Sequence, residues 1–278
     1  MADSEAQALA LFARLERRCE IVDSRFEDRK IRWHRIGAGS PLVLLHGGNG
    51  SWLHWVRNIE SLARQHELWL PDLPGCGESD ELPPPANLER LVAALQAAVD
   101  SLIGADREIG LAAFSFGSVL ASNLAATRGG VRRLALLGAT GHGFARQPLA
   151  LRNWRAMPPG PAQTEAHRHN LAHLMLHDTA AIDALALVIH RQTSEQTRLR
   201  SRPLSLTDAT RRALDRLEVP VLLAWGEHDP TAPAAEVQQT FAQGQSQRRL
   251  VRFAGAGHWL QYERAAEINA LLIDWFSP

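Results

Sequence analysis

The sequence predicts an α/β fold: a doubly wound, mostly parallel sheet with an inserted helical cap. Three observations predict it. Apolar runs of strand length alternate with stretches of helical spacing along most of the chain. The run Glu108 to Ala112 passes through Ala113-Phe114-Ser115-Phe116-Gly117 straight into the helix-like Ser118-Val119-Leu120-Ala121. Between Gly138 and Val219 lie 80 residues, where a crossover to the next parallel strand needs roughly a dozen, or 20 to 30 with a full helix.

The elements follow in order. Met1 to Arg18 alternates Ala and Leu with charge, as an amphipathic helix does. Cys19 to Phe26 and Ile31 to Ile36 read as an antiparallel starting pair, Pro41 to Leu45 as a buried strand, and His66 to Pro71 as the next. Leu88 to Leu102 has helical spacing, and Val131 to Leu137 is the strand after the turn at Ser115. Val219 to Trp225 reads as a buried parallel strand. A helix from about Ala234 to Ala242 and the short strand Arg249 to Phe253 follow it. The excess in the long crossover defines a cap at 141–205, with helical stretches Gln163 to His177 and Ala180 to Thr193. Residues 1–140 and 206–278 form the core.

Composition bounds the partners. The 278 residues suffice for one sizeable core plus the insertion, and the formal charge is zero. That balance points to a small-molecule substrate and to no nucleic-acid or membrane partner; a homo-oligomer stays open. Two cysteines, Cys19 and Cys76, make no disulfide framework, which fits a cytoplasmic setting. The N-terminal stretch is not a secretory signal, and no apolar run approaches the roughly 20 residues that span a bilayer.

The chemistry is concentrated in three loops. A serine hydroxyl becomes a useful nucleophile when held in the open, beside a base and opposite oxyanion donors. Ser115 stands at a strand-to-helix turn whose small flanking residues, Ala113 and Gly117, permit a strained backbone. Asp229 follows the strand ending at Trp225, and His258 lies on the glycine-rich loop after Phe253. Glu227 and His228 are the sequence neighbours that compete with Asp229 for the acid position. In open parallel sheets, sites form at the carboxyl ends of strands, where all three residues fall. The loop His46-Gly47-Gly48-Asn49-Gly50 follows another strand. With it, the backbone N–H groups of Gly48 and Phe116 are the candidate oxyanion hole. His173 and His177 have the i,i+4 spacing of zinc ligands, but no HExxH accompanies them. The reading is no metal and no cofactor.

Ser, Asp, His in that chain order, with a G-x-S-x-G-like elbow, is the triad order of α/β-hydrolases. More closely, His46-Gly47-Gly48 through Ile59, the loop Asp72 to Asp80, and Gly257-His258-Trp259-Leu260-Gln261-Tyr262-Glu263 resemble the meta-cleavage product hydrolases. These are capped enzymes that split carbon–carbon bonds in dienoic ring-fission products of aromatic catabolism. The resemblance covers most of the core and only weakly the cap. It implies that Trp259 lines the site, that His54 stands where an asparagine often sits, and that Arg191, beside His190, falls near a cap arginine that meets the substrate carboxylate. Gly47, Asn49 and Phe114 complete the expected substrate contacts. Phe114 is the departure, because that family generally has asparagine before the nucleophile. Phe114, Phe116, Trp52, Trp55 and Trp259 suggest an apolar, aromatic pocket, with two of the five touching substrate. Two enzymatic readings follow: carbon–carbon hydrolysis of a meta-cleavage product, or a carboxylesterase or lactonase working through an acyl-enzyme. A catalytically inactive, hydrolase-like binding protein is the alternative of another class.

Overall fold

Alternation along the central strands splits the core in two. Val43, Leu45, Leu111, Ala113, Leu134 and Leu136 join one apolar cluster, while Leu42, Leu44, Ala112, Phe114, Ala135 and Leu137 join the other. Successive side chains of a strand point to opposite faces, so a strand covered on both faces is apolar throughout. The computed structural model describes residues 2–145 and 148–277. Met1, which opens the predicted first helix, and residues 146–147 of the predicted cap lie outside them.

The strands are β1 (Glu20–Phe26), β2 (Arg29–Ile36), β3 (Ser40–Leu45), β4 (His66–Pro71), β5 (Ile109–Phe114), β6 (Val131–Leu137), β7 (Val221–Gly226) and β8 (Arg248–Phe253). They form one sheet in the order β1-β2-β4-β3-β5-β6-β7-β8. β2 pairs antiparallel with β1 and β4, and the other pairings are parallel. Order reverses around β3 and β5, the switch point at which open α/β sheets present their binding crevices. The loops after these two strands carry Gly48 and Ser115. The register Leu45↔Ala113 on one side of β5 and Phe114↔Leu137 on the other brings those loops to one edge.

The helix Ala2–Arg18 does more than begin the chain. Ala8, Phe12 and Leu15 are buried in the same cluster as Ile59 and Leu62 of the core and Ala186 and Ile189 of the insertion. Arg14 and Arg18 pair with Glu60, and Glu5 pairs with Arg191. One amphipathic face thus joins two parts of the molecule distant in sequence.

After β6 the chain leaves the sheet and returns at β7 with helices Pro161–Asn170, Leu171–Met175, Ala184–Gln196 and Arg202–Ser205. Asp183 caps the long helix by accepting the Ala186 N–H at 2.8 Å. The predicted stretch from Gln163 to His177 breaks at Leu176, which is extended; that from Ala180 to Thr193 is interrupted at Ile182. The insertion returns to the loops at the strand ends. Met175 O accepts the Trp259 N–H at 2.7 Å, and Gly75 O accepts from Arg198 and Leu199 at 2.8 and 3.1 Å. Among the described residues, no helix is long and apolar enough to cross a membrane.

Leu15 is fully buried between core and insertion. Leu15→Ala is expected to lower unfolding stability by about 2–5 kcal/mol, measured by urea denaturation. A loss within about 0.5 kcal/mol would mean that the helix contributes no packing.

Candidate active site

Ser115 joins the end of β5 to the helix Phe116–Arg128 with φ 51° and ψ −118°, a backbone that a residue with a Cβ rarely adopts. Its N–H donates to Leu137 O at 2.9 Å, and its carbonyl accepts from Ser118 N–H at 3.0 Å. Gly117 makes the turn feasible, since a Cβ there would stand 2.6 Å from His46 O and 2.8 Å from Leu45 O. The helix therefore starts pressed against the end of β3.

The structure brings Ser115, His258 and Asp229 into one hydrogen-bonded chain. Ser115 Oγ lies 2.9 Å from His258 Nε2, and His258 Nδ1 lies 2.7 Å from Asp229 Oδ2. Burial alone would raise the Asp229 carboxyl. The His258 imidazole and hydrogen bonds from His258 and Thr231 hold it below its ordinary value instead. Thr231 gives Asp229 Oδ1 both its N–H and its hydroxyl, at 2.8 and 2.7 Å. A carboxylate so held accepts best from Nδ1–H, leaving Nε2 to accept from the serine. Glu227 is elsewhere, exposed and accepting the Gly255 N–H, while His228 stacks on His177 with ring centroids 3.6 Å apart.

The loop after β3 is fixed by two histidines. Leu73 N–H donates to His46 Nε2 at 2.9 Å, so Nδ1 carries the ring proton and donates to Gly47 O at 2.7 Å. Gly47 N–H in turn donates to His54 Nδ1 at 3.2 Å. Burial lowers the His46 pKa to about 4 and that of His54 well below its ordinary value, so both rings are neutral at pH 7. A Cβ on Gly47 would sit 3.1 Å from Ser115 Cβ, and one on Gly48 would sit 3.7 Å from Phe116 Cβ. Gly47 thus lies against the serine, and Gly48 against Phe116. Asn49 takes a left-handed φ of 53° and stands exposed at the turn.

The aromatic residues divide. Phe114 lies 4.9 Å from the His258 ring and 5.4 Å from His54, and Trp259 lies 5.1 Å from His54 and donates its Nε1–H to His54 O. Phe116 turns its ring into the opposite core cluster, Trp52 stacks on His34 at 4.0 Å, and Trp55 is wholly buried in the same cluster as Phe114 and Trp259.

The Arg191 guanidinium, expected near the substrate carboxylate, pairs with Glu5 of the first helix. Successive residues of a helix are turned by about 100°, so a helix offers one neighbour inward and the next outward. His190 takes the inward place, bonded to His167 through the two Nδ1 atoms at 2.9 Å and close enough to depress His54. The i,i+4 pair His173 and His177 is also split. His173 stacks on His169 and His177 on His228. Three supporting residues were not singled out from the sequence. Thr231 orients Asp229, and Gly138 leaves room beside the His258–Asp229 pair. Ser201 stands over Gly48, with its Oγ 2.5 Å from where a Cβ would lie. Only the distance from Asp229 to a following threonine hints at the first.

Comparison with known proteins identifies the family. The family model for the alpha/beta hydrolase fold matches residues 40–265, so the chain belongs to that family, and it is a hydrolase. A dihydrolipoyllysine-residue acetyltransferase component of the acetoin cleaving system from Pseudomonas putida is 29% identical over 258 residues. That match takes in 88% of this chain and 66% of the relative, just under two thirds of its length. The pimeloyl-[acyl-carrier protein] methyl ester esterase of Xanthomonas campestris is 32% identical, over 80% of this chain and 89% of that one. Among solved structures, a meta-cleavage product hydrolase from Pseudomonas fluorescens IP01, complexed with acetates, superposes with a TM-score of 0.75. It is 22% identical and covers 92% of this chain and 97% of its own.

The buried neutral histidines set a pH dependence. His34, His46 and His54 have folded pKa values depressed below the unfolded value of 6.5, to about 4 for the first two. Below pH 6.5 the unfolded chain binds more protons than the native one, so stability is lost as pH falls toward 4. Asp72 opposes this, since burial raises its pKa to about 6; the histidines outnumber it. Each net proton corresponds to about 1.4 kcal/mol per pH unit. Urea midpoints are expected to drop steadily from pH 6.5 to 4.5, and a flat profile would mean that these rings are charged in the fold.

Proposed function

We propose that the protein is a serine hydrolase that cleaves carboxylic esters with apolar acyl or alcohol groups through an acyl-enzyme on Ser115. The observation that carries this reading is the Ser115–His258–Asp229 chain at the switch point of the sheet. Ser115 Oγ attacks the ester carbonyl while His258 Nε2 takes its proton, and Asp229 stabilises the imidazolium. Charge grows on the carbonyl oxygen, where the N–H groups of Gly48 and Phe116 are the donors. His258 then protonates the departing alcohol. Water, activated by the same ring, attacks the acyl-enzyme and releases the acid.

Phe114 and Trp259 supply the apolar surface beside the serine, and His54 supports the oxyanion loop by accepting from Gly47. Residues 141–205 act as the cap. Their contacts at Gly75 and Trp259 and the position of Ser201 over Gly48 support a lid that keeps water from the reacting carbonyl. The 32% identical relative is an ester hydrolase by name, which favours this substrate class. Carbon–carbon hydrolysis asks for a group that hydrogen-bonds a dienolate, and a phenyl ring occupies the position before the nucleophile.

A panel of 4-nitrophenyl esters, lactones and a ring-fission dienoate tests the substrate class. Turnover of esters is expected to exceed dienoate cleavage by orders of magnitude; the reverse order would replace the ester reading with carbon–carbon hydrolysis. Ser115→Ala should abolish both turnover and labelling by a fluorophosphonate. Asp229→Asn should lower kcat about 10,000-fold by favouring the wrong imidazole tautomer. Wild-type rates in Asp229→Asn would move the acid role to Glu227.

A further inference from the structure

His258 stands between a glycine-rich loop and the short helix Leu260–Glu263. Glu263, partly buried at the end of that helix, turns its carboxylate back along the chain. Its Oε2 accepts the Gly257 N–H at 2.6 Å, one residue before His258. Its Oε1 accepts the Asp178 N–H of the insertion, also at 2.6 Å, across 85 positions of sequence. A carboxylate suits this place, because both its oxygens accept and neither donates. An amide would offer one acceptor and turn its NH2 toward the other N–H. Bonds to a charged acceptor are also stronger than neutral ones.

The insertion meets the same loop at two further points. Met175 O accepts the Trp259 N–H at 2.7 Å, one residue after His258. A Cβ on Gly257 would stand 2.7 Å from His177 N, so the two backbones are in close contact. His177 in turn stacks on His228, the neighbour of Asp229. Residues 175–178 thus hold the chain on both sides of His258, on one side directly and on the other through Glu263.

We propose that Glu263 is a positioning residue for His258. It ties the loop that delivers the imidazole to the docked insertion, so that the ring meets Ser115 and Asp229 only while residues 175–178 are in place. This rests on the reading of His258 as the proton-transfer group of an ester hydrolase. A misplacement of about 1 Å at a reacting group can lower a rate about a hundredfold, so a bond that never touches substrate still matters.

The test compares Glu263→Gln with the wild type on 4-nitrophenyl and ethyl esters of one acyl group. A nitrophenolate leaves without a proton, whereas an ethoxide needs the one that His258 returns. The expected kcat/KM falls roughly tenfold for the nitrophenyl ester and several times further for the ethyl ester. Unchanged rates, or an equal fall for both esters as from simple loss of folded enzyme, would overturn the proposal. Asp178→Pro removes the N–H on the insertion side, and its φ of −74° suits the proline ring. The control is Asp178→Ala, which also loses the bond to Ala180 N–H but keeps its own N–H. Asp178→Pro should separate the two esters in the same direction relative to that control; equal behaviour would likewise overturn the proposal. A wild type inert toward both esters would sink the hydrolytic reading instead. The proton resonance of His258 Nδ1–H, shared with Asp229, then decides: it should shift or broaden in Glu263→Gln, and an unchanged line counts against Glu263.

Discussion

The structure turns on one backbone torsion, the positive φ of Ser115. A non-glycine residue there costs on the order of 1–3 kcal/mol and persists only where its surroundings over-determine it. Those surroundings are the ladder bond to Leu137, the first turn of the helix after it, and the close approach of Gly117 to the end of β3. Because the elbow touches both β3 and β6, its strain aligns three loops at once. The loop after β3, the serine and the glycine beside the His258–Asp229 pair are positioned by the same contact.

A second constraint is the exclusion of charge. His46 and His54 anchor the loop after β3 as neutral rings, each with a tautomer dictated by a backbone N–H that donates to it. An imidazolium at either place would lose its acceptor role and put a charge in a buried site. Burial thus keeps both rings neutral and the loop in place. Asp229 carries the opposite solution, a buried anion retained by the imidazole and Thr231.

Much of this was legible because it is local. Strand runs, the small residues around Ser115, and the order of Ser115, Asp229 and His258 are properties of neighbours in sequence. β4 and β6 coincide with their predicted bounds. The family resemblance also suited the fold, since the core motifs it rested on are those that build the sheet edge. It served less well in the insertion. Arg191 turned out to face Glu5, because which side of a helix looks inward depends on what covers the other side, and that partner is some 180 residues away. Aromatic residues were similarly ambiguous: Phe116 and Trp52 are as apolar as Phe114, yet Phe116 falls in the cluster on the other face of the sheet, and Trp52 shares the Phe114 cluster but stacks on His34.

The first helix has a consequence for how the chain reaches its native state during synthesis. Ala2–Arg18 leaves the ribosome long before Ala184–Gln196, against which its buried face packs. At about 5–20 residues per second, the interval is on the order of 10 s. Over that time Phe12 and Leu15 have only the early core, around Ile59 and Leu62, to shelter them. The helix is therefore a nascent-chain liability as well as a brace, and its arginines at Glu60 offer the first place to dock while the rest of its partner is still being made.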